Sequence, residues 1–152
     1  MSLGIKGKIV SINTSKKKGQ KKKQVGHSNI NKNGIEGDGH SGKWHRQVSL
    51  LSFESIQSVI DRGVKVKPGD FAENLTISGI DFQKIKKGDV FYTEGKEKVK
   101  LMVTQIGKKC HTHCNIFYQL GYCIMPTKGI FCKVLSPGRI YKGENIFLSR
   151  SF

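Results

Sequence analysis

Polar and apolar residues alternate along Ile5-Lys-Gly-Lys-Ile-Val-Ser-Ile12, the two-residue period of a strand with one buried face. Arg46-Gln-Val-Ser-Leu-Leu51, Phe71-Ala-Glu-Asn-Leu-Thr-Ile77, Val90-Phe-Tyr-Thr93, Val99-Lys-Leu-Met-Val-Thr-Gln-Ile106 and Gly129-Ile-Phe-Cys-Lys-Val-Leu135 are also apolar enough to read as strands. A closing strand is predicted over Arg139–Leu148, bent at Gly143. Gln24–Asn33 predicts a short strand and turn. The period changes after Ser52. There Phe53, Ile56, Val59 and Ile60 fall on one face of a helix that runs to Arg62, with Ser52 as its cap and Gly63 as its stop. Asn115–Leu120 holds enough apolar residues for one or two helical turns. Many short strands, glycine turns and one or two short helices predict a mostly-β barrel. With no repeat or second hydrophobic pattern, residues 1–152 read as a single domain.

Charge changes this picture. The chain carries 27 Lys and Arg against 11 Asp and Glu, a formal +16, and a field of that sign draws anions. Six of those lysines crowd into the eight residues Lys16–Lys23. Mutual repulsion predicts an exposed loop there, with solvation explaining the run better than phosphate contact. Met1-Ser-Leu-Gly-Ile-Lys6 lacks the apolar core of a leader peptide, and no apolar run approaches the ~20 residues that span a bilayer. The reading is a cytoplasmic chain, without membrane attachment, whose cysteines are reduced unless metal-bound.

Candidate chemistry gathers in Ile106-Gly-Lys-Lys-Cys-His-Thr-His-Cys114, two thiols and two imidazoles within five residues. Lys108, Lys109 and His111 surround Cys110 with positive charge, which favours the thiolate, a nucleophile and a soft metal ligand. Structural zinc would draw on Cys110, Cys114, Cys123, Cys132, His111 and His113. Cys110 and Cys114 have the spacing of a ligand pair, whereas Cys123 and Cys132 stand nine residues apart and do not. No G-x-S-x-G elbow supports a serine hydrolase. A Cys110–His40 dyad would require the fold to bring the two together. The basic charge suits nucleic acid, but the aromatic residues are not interleaved with the basic ones as a stacking platform requires.

A second candidate region is Gly34-Ile-Glu-Gly-Asp-Gly-His-Ser-Gly-Lys-Trp-His-Arg-Gln47, a glycine-rich loop bearing Asp38, His40, Trp44, His45 and Arg46. Such loops let the backbone approach a ligand closely, although an ordinary turn with an Asp–His hydrogen bond would have the same composition. Glu73-Asn74 is polar in the middle of an apolar run, as a bulge aimed at a pocket or an edge strand would be.

Taken together, Gly7-Lys-Ile-Val-Ser-Ile-Asn13, Gly34-Ile-Glu-Gly-Asp-Gly-His40, Arg46-Gln-Val-Ser-Leu-Leu51, Pro68-Gly-Asp-Phe-Ala-Glu-Asn-Leu75, Ile106-Gly-Lys-Lys-Cys110 and Gly129-Ile-Phe-Cys-Lys-Val134 resemble, in order and spacing, a small stand-alone MOSC domain. That module also forms the C-terminus of molybdenum cofactor sulfurases and part of the amidoxime-reducing component. The resemblance implies a β-barrel with a cleft that binds molybdenum cofactor (molybdopterin) for sulfuration, maturation or delivery. It places the sulfur- or molybdenum-binding cysteine at Cys110, acting with Asp38 and His40. Arg46, Gln47, Glu73 and Asn74 become the cofactor-binding residues. The implied partner is a sulfur-donor, electron-donor or acceptor molybdoenzyme protein, and no pyridoxal phosphate site is expected. The alternatives are a small molybdenum-dependent reductase of N-hydroxylated compounds and, without the resemblance, a zinc-stabilised basic nucleic-acid-binding module.

Overall fold

The chain order is β1 (Ile5–Thr14), β2 (Lys23–Val25), β3 (His27–Asn31), β4 (Gly34–Ile35), β5 (Val48–Ser52), α1 (Phe53–Asp61), β6 (Leu75–Ser78), β7 (Val90–Thr93), β8 (Lys100–Ile106), β9 (Ile130–Ser136), β10 (Gly138–Tyr141) and β11 (Asn145–Ser149). These elements come from a computed structural model that describes residues 4–17, 20–107 and 129–150. A 3-10 turn over Phe82–Lys84 is capped by Asp81, whose side chain accepts from the Gln83 N–H. Seven strands close into a barrel in the order β1, β11, β7, β8, β9, β5, β6 and back to β1. β2 extends the sheet beyond β1, and β3, β4 and β10 form a separate three-stranded sheet.

The predicted period decides which side chains fill the barrel. Ile9, Ile12, Leu50, Leu75, Ile77, Phe91 and Leu101 are almost wholly buried in one cluster, each contributing about 1.5–3 kcal/mol relative to an exposed position. Inside the barrel every strand pair is antiparallel except β5–β6, which are parallel with Leu50 opposite Leu75. A parallel pair needs a crossover, and α1 supplies it. Ser52 Oγ accepts from the Ser55 N–H at 3.1 Å to start this helix. Ile56 and Val59 bury against Leu51, Phe71 and Phe131 on the outside of the barrel. Gly63, at φ 89°, takes the left-handed turn that ends it.

Three expectations change. The closing strand is two strands in different sheets, β10 and β11, separated by a turn in which Gly143 has φ 87°. The expected bend at Gly143 is therefore a change of sheet. The predicted strand Phe71–Ile77 is regular only from Leu75. Before it, Ala72 takes φ 63°, and the Asn74 N–H reaches both the carbonyl and the hydroxyl of Ser49 while its side-chain oxygen accepts from the Ser49 N–H. Finally, Lys22, assigned to an exposed loop, is buried.

Candidate functional site

The 34–47 loop is organised around the carboxylate of Asp38. Its Oδ1 accepts from Lys22 Nζ and from the Ser15 N–H, both at 2.9 Å, and its Oδ2 accepts from the His40 N–H at 2.9 Å. Lys22 Nζ also donates to Ser15 Oγ. The side chains of Lys22 and Asp38 are both wholly buried. Burial alone would raise the Asp38 pKa, but the contacts from His40, Lys22 and Ser15 outweigh it and hold the carboxyl well below its ordinary range. His40 Nδ1 lies 3.7 Å from Asp38 Oδ2, close enough to feel the charge.

Aromatic and cationic groups join His40. The imidazole stacks on Trp44 at 6.4 Å and 15°, and Trp44 Nε1 donates to the His40 carbonyl at 2.7 Å. The Arg46 guanidinium lies 4.6 Å from the centre of the Trp44 ring and 5.7 Å from that of Phe131. Phe131 also contacts the His40 ring. Arg46 Nε is buried with no hydrogen-bond partner among the described residues. The fold thus brings together Asp38, His40 and Arg46, around a cation with an open donor.

The other predicted site residues are placed differently. Gln47 is buried, and its amide is spent on the main chain: Nε2 donates to the carbonyls of Lys32 and Gly42, and Oε1 accepts from the Val134 N–H. Asn74 Oδ1 accepts from the N–H and hydroxyl of Ser49, while its Nδ2 donates to the Asn13 carbonyl. Glu73 sits in the core, where Oε2 accepts from Thr76 Oγ1 at 2.8 Å and Oε1 has no hydrogen-bond partner among the described residues. Burial pushes its pKa up to about 7 against the opposing pull of Gly69, Thr76 and neighbouring main-chain groups. The Asn74 carbonyl accepts from the Asn13 N–H, two residues before Ser15. The Glu73–Asn74 segment therefore braces the strand that carries one of the partners of Asp38.

Cys110 falls outside the described residues, as do His111, His113, Cys114 and Cys123. Cys132 lies in β9, opposite Val48 and Val103. It is fully buried, and its thiol pKa is driven strongly upward. A thiol in that state is a core side chain, not a ready metal ligand. Among the described residues no three His, Cys, Asp or Glu side chains converge on a metal position, and no helix is long and apolar enough to cross a membrane.

Two sizeable cavities open among the described residues. One of about 700 Å³ lies between α1 and the 79–85 segment, lined by residues such as Glu54, Ser55, Ile80, Phe82 and Ile130. The other, of about 510 Å³, is bounded by Lys32, Lys43, Trp44, Gln47 and Lys133. Sequence reading missed Lys22 and Phe131 as parts of the site. Lys22 is indistinguishable within a lysine run, and Phe131 reads as an ordinary inward strand residue.

The family description "MOSC domain" matches residues 37–147. Among solved structures, the YuaD protein from Bacillus subtilis superposes with a TM-score of 0.80 at 21% identity, covering 99% of this chain and 100% of that one. YiiM from Geobacillus stearothermophilus gives 0.69 at 20% identity, covering 95% of this chain and 75% of that one. YiiM from Escherichia coli gives 0.68 at 20% identity, with 96% and 71% covered. At these identities the structures speak for the fold alone. No curated protein sequence matches. The family match spans most of the chain, from the glycine-rich loop through the closing strand of the barrel, and the chain therefore belongs to the MOSC domain family.

Proposed function

We propose that this protein binds molybdenum cofactor and takes part in its sulfuration, maturation or delivery, with Cys110 as the sulfur or metal ligand. The observation that supports this most is Arg46, a cation whose buried Nε has no partner among the described residues, set beside His40. The residues fit the group. Molybdopterin carries a phosphate, and an arginine with an open donor suits that anion. Lys22 cancels the charge of Asp38, so the carboxylate does not repel an incoming anion. When bound, the cofactor would supply a molybdenum centre that accepts a terminal sulfur. His40 would hold or move a proton beside it, and Asp38 would fix the main chain on which His40 sits. Gln47 and Asn74 act as framework, since their amides are already used. Glu73 sets the pH response of the core. Sulfur would arrive from a donor protein.

The test is purification from a host that makes the cofactor, with molybdenum, zinc and pterin assayed in wild type, Cys110→Ala and Arg46→Gln. Stoichiometric molybdenum and pterin are expected in wild type. Cys110→Ala should lose the metal, and Arg46→Gln should weaken pterin retention about tenfold or more, the scale of one charged hydrogen bond. Zinc without pterin would overturn the reading.

A further inference from the structure

Lys32, Lys43 and Lys133 converge on the cleft of about 510 Å³ from three separate stretches of chain: the β3–β4 turn, the end of the glycine-rich loop and the outward face of β9. Among the described residues no carboxylate lines this cleft and none of the three lysines has an acidic partner. Like charges gathered in a concave wall repel one another, and their field is focused there. A bound anion would relieve that repulsion.

The walls are fixed in place. Gln47, only 2% exposed, ties them together through the Lys32 carbonyl at 3.1 Å, the Gly42 carbonyl at 2.7 Å and the Val134 N–H at 2.8 Å. Each of those three contacts is on, or next to, one of the three lysine-bearing segments. His45, also in the lining, is held by Gln105, whose Nε2 is committed to the Gly107 carbonyl. Gln105 Oε1 must then accept, so His45 Nε2 is the donor in their 2.7 Å contact. The main chain of the three lysine-bearing segments is thus held in place before a ligand arrives, while the exposed lysine side chains are left to close on it.

We propose that this cleft is a binding site for a small phosphate monoester, adjoining the Asp38–His40–Arg46 centre across Trp44. The volume lies within the range of small-molecule pockets, about 300–1,000 Å³, and exceeds what a bare phosphate fills. The phosphate would sit among the lysines, with the organic part against Trp44. Lysine binds phosphate as a point charge and needs no bidentate geometry. The anion in this inference is held by lysines outside the Asp38–His40–Arg46 centre, so the variants that test it leave His40 and Arg46 in place.

Trp44 is the single tryptophan of the chain, so its fluorescence reports on the cleft. Full-length protein would be titrated with inorganic phosphate, pyrophosphate and ribose 5-phosphate at constant ionic strength. The comparison is between wild type, Lys43→Gln/Lys133→Gln and a control, Lys86→Gln/Lys87→Gln, which loses the same charge at exposed positions elsewhere. We expect saturable binding that is weakened tenfold or more in the cleft variant and less than twofold in the control, with all three melting alike. Calorimetry with a phosphorylated pterin identifies the source: a marked preference over ribose 5-phosphate means the cleft holds a pterin phosphate, and equal affinity means a general phosphoester site. No saturation in wild type, or equal losses in both variants, would overturn the proposal. So would binding confined to a single-stranded oligonucleotide with steep salt dependence.

Discussion

Between pH 4.5 and about 7, the folded protein keeps a proton on Glu73 that the unfolded chain has released. Stability must therefore fall as pH rises through that window and level off above it. The shift corresponds to roughly 3 kcal/mol at about 1.4 kcal/mol per pH unit. Glu73→Gln, which cannot ionise, is expected to flatten this slope and to be more stable than wild type at pH 8 by urea unfolding. Asp38 has the opposite sign. Its folded pKa is depressed, so its contribution is complete above the unfolded value of 3.8 and disappears as pH falls below it. The two effects occupy separate pH ranges and can be read from one titration of stability. Lys22 is the residue on which Asp38 depends. Lys22→Met leaves a buried carboxylate uncompensated and is expected to cost about 3–5 kcal/mol. Lys22→Met/Asp38→Asn should recover much of that loss, and a double-mutant cycle would show the coupling. Nothing in six neighbouring lysines marks Lys22 as the inward one. The turn that buries it is set by Gly69, whose carbonyl accepts from the Lys22 N–H at 2.8 Å, a contact far away in sequence.

Elements whose boundaries depend on local chemistry were legible. Helix α1 was readable from Ser52, the 3.6-residue spacing of its apolar positions and Gly63. Ser52→Ala should cost about 1 kcal/mol in thermal unfolding through loss of the cap. The alternating segments predicted β1, β7, β8 and β9 to within a few residues. Legibility failed where hydrogen bonds to distant stretches of chain decide where a strand begins or ends. Asn74 pairs with Ser49 and Asn13, so the strand begins after it. The β10–β11 break at Lys142–Glu144 has a similar cause, since the Gly143 N–H bonds the Ile9 carbonyl and the Lys142 N–H bonds the Gly26 carbonyl. A glycine in a polar stretch signals a bend, but not which sheets lie on either side. Gly69 shows the same long-range control. It takes φ 98°, and an added Cβ would meet the main-chain carbonyl of Lys22. Gly69→Ala should therefore destabilise by about 1–3 kcal/mol, and amide exchange at Ser15 and His40 should quicken as the Asp38 network loosens.

At the scale of the whole molecule, the barrel was legible from strand number and turn spacing, and the family from six short segments in order. What was not legible is which of those segments meet. The glycine-rich loop and Phe131 form one centre because β5 and β9 are neighbours, with Ser49 opposite Phe131. Gln47 and Asn74, expected among the cofactor-binding residues, hold neighbouring segments together through their side-chain amides. The barrel itself is closed by its first and last strands, with Ile5 opposite Leu148 and Lys8 opposite Asn145. That seam joins the parts of the barrel made earliest and latest during synthesis. Until β11 emerges, β1 waits with one row of backbone groups unpaired, an edge open to other chains. Barrel closure therefore waits for β11 and is paced by a contact between distant parts of the chain, which leaves the β1 edge exposed to other chains for as long as the intervening strands take to form.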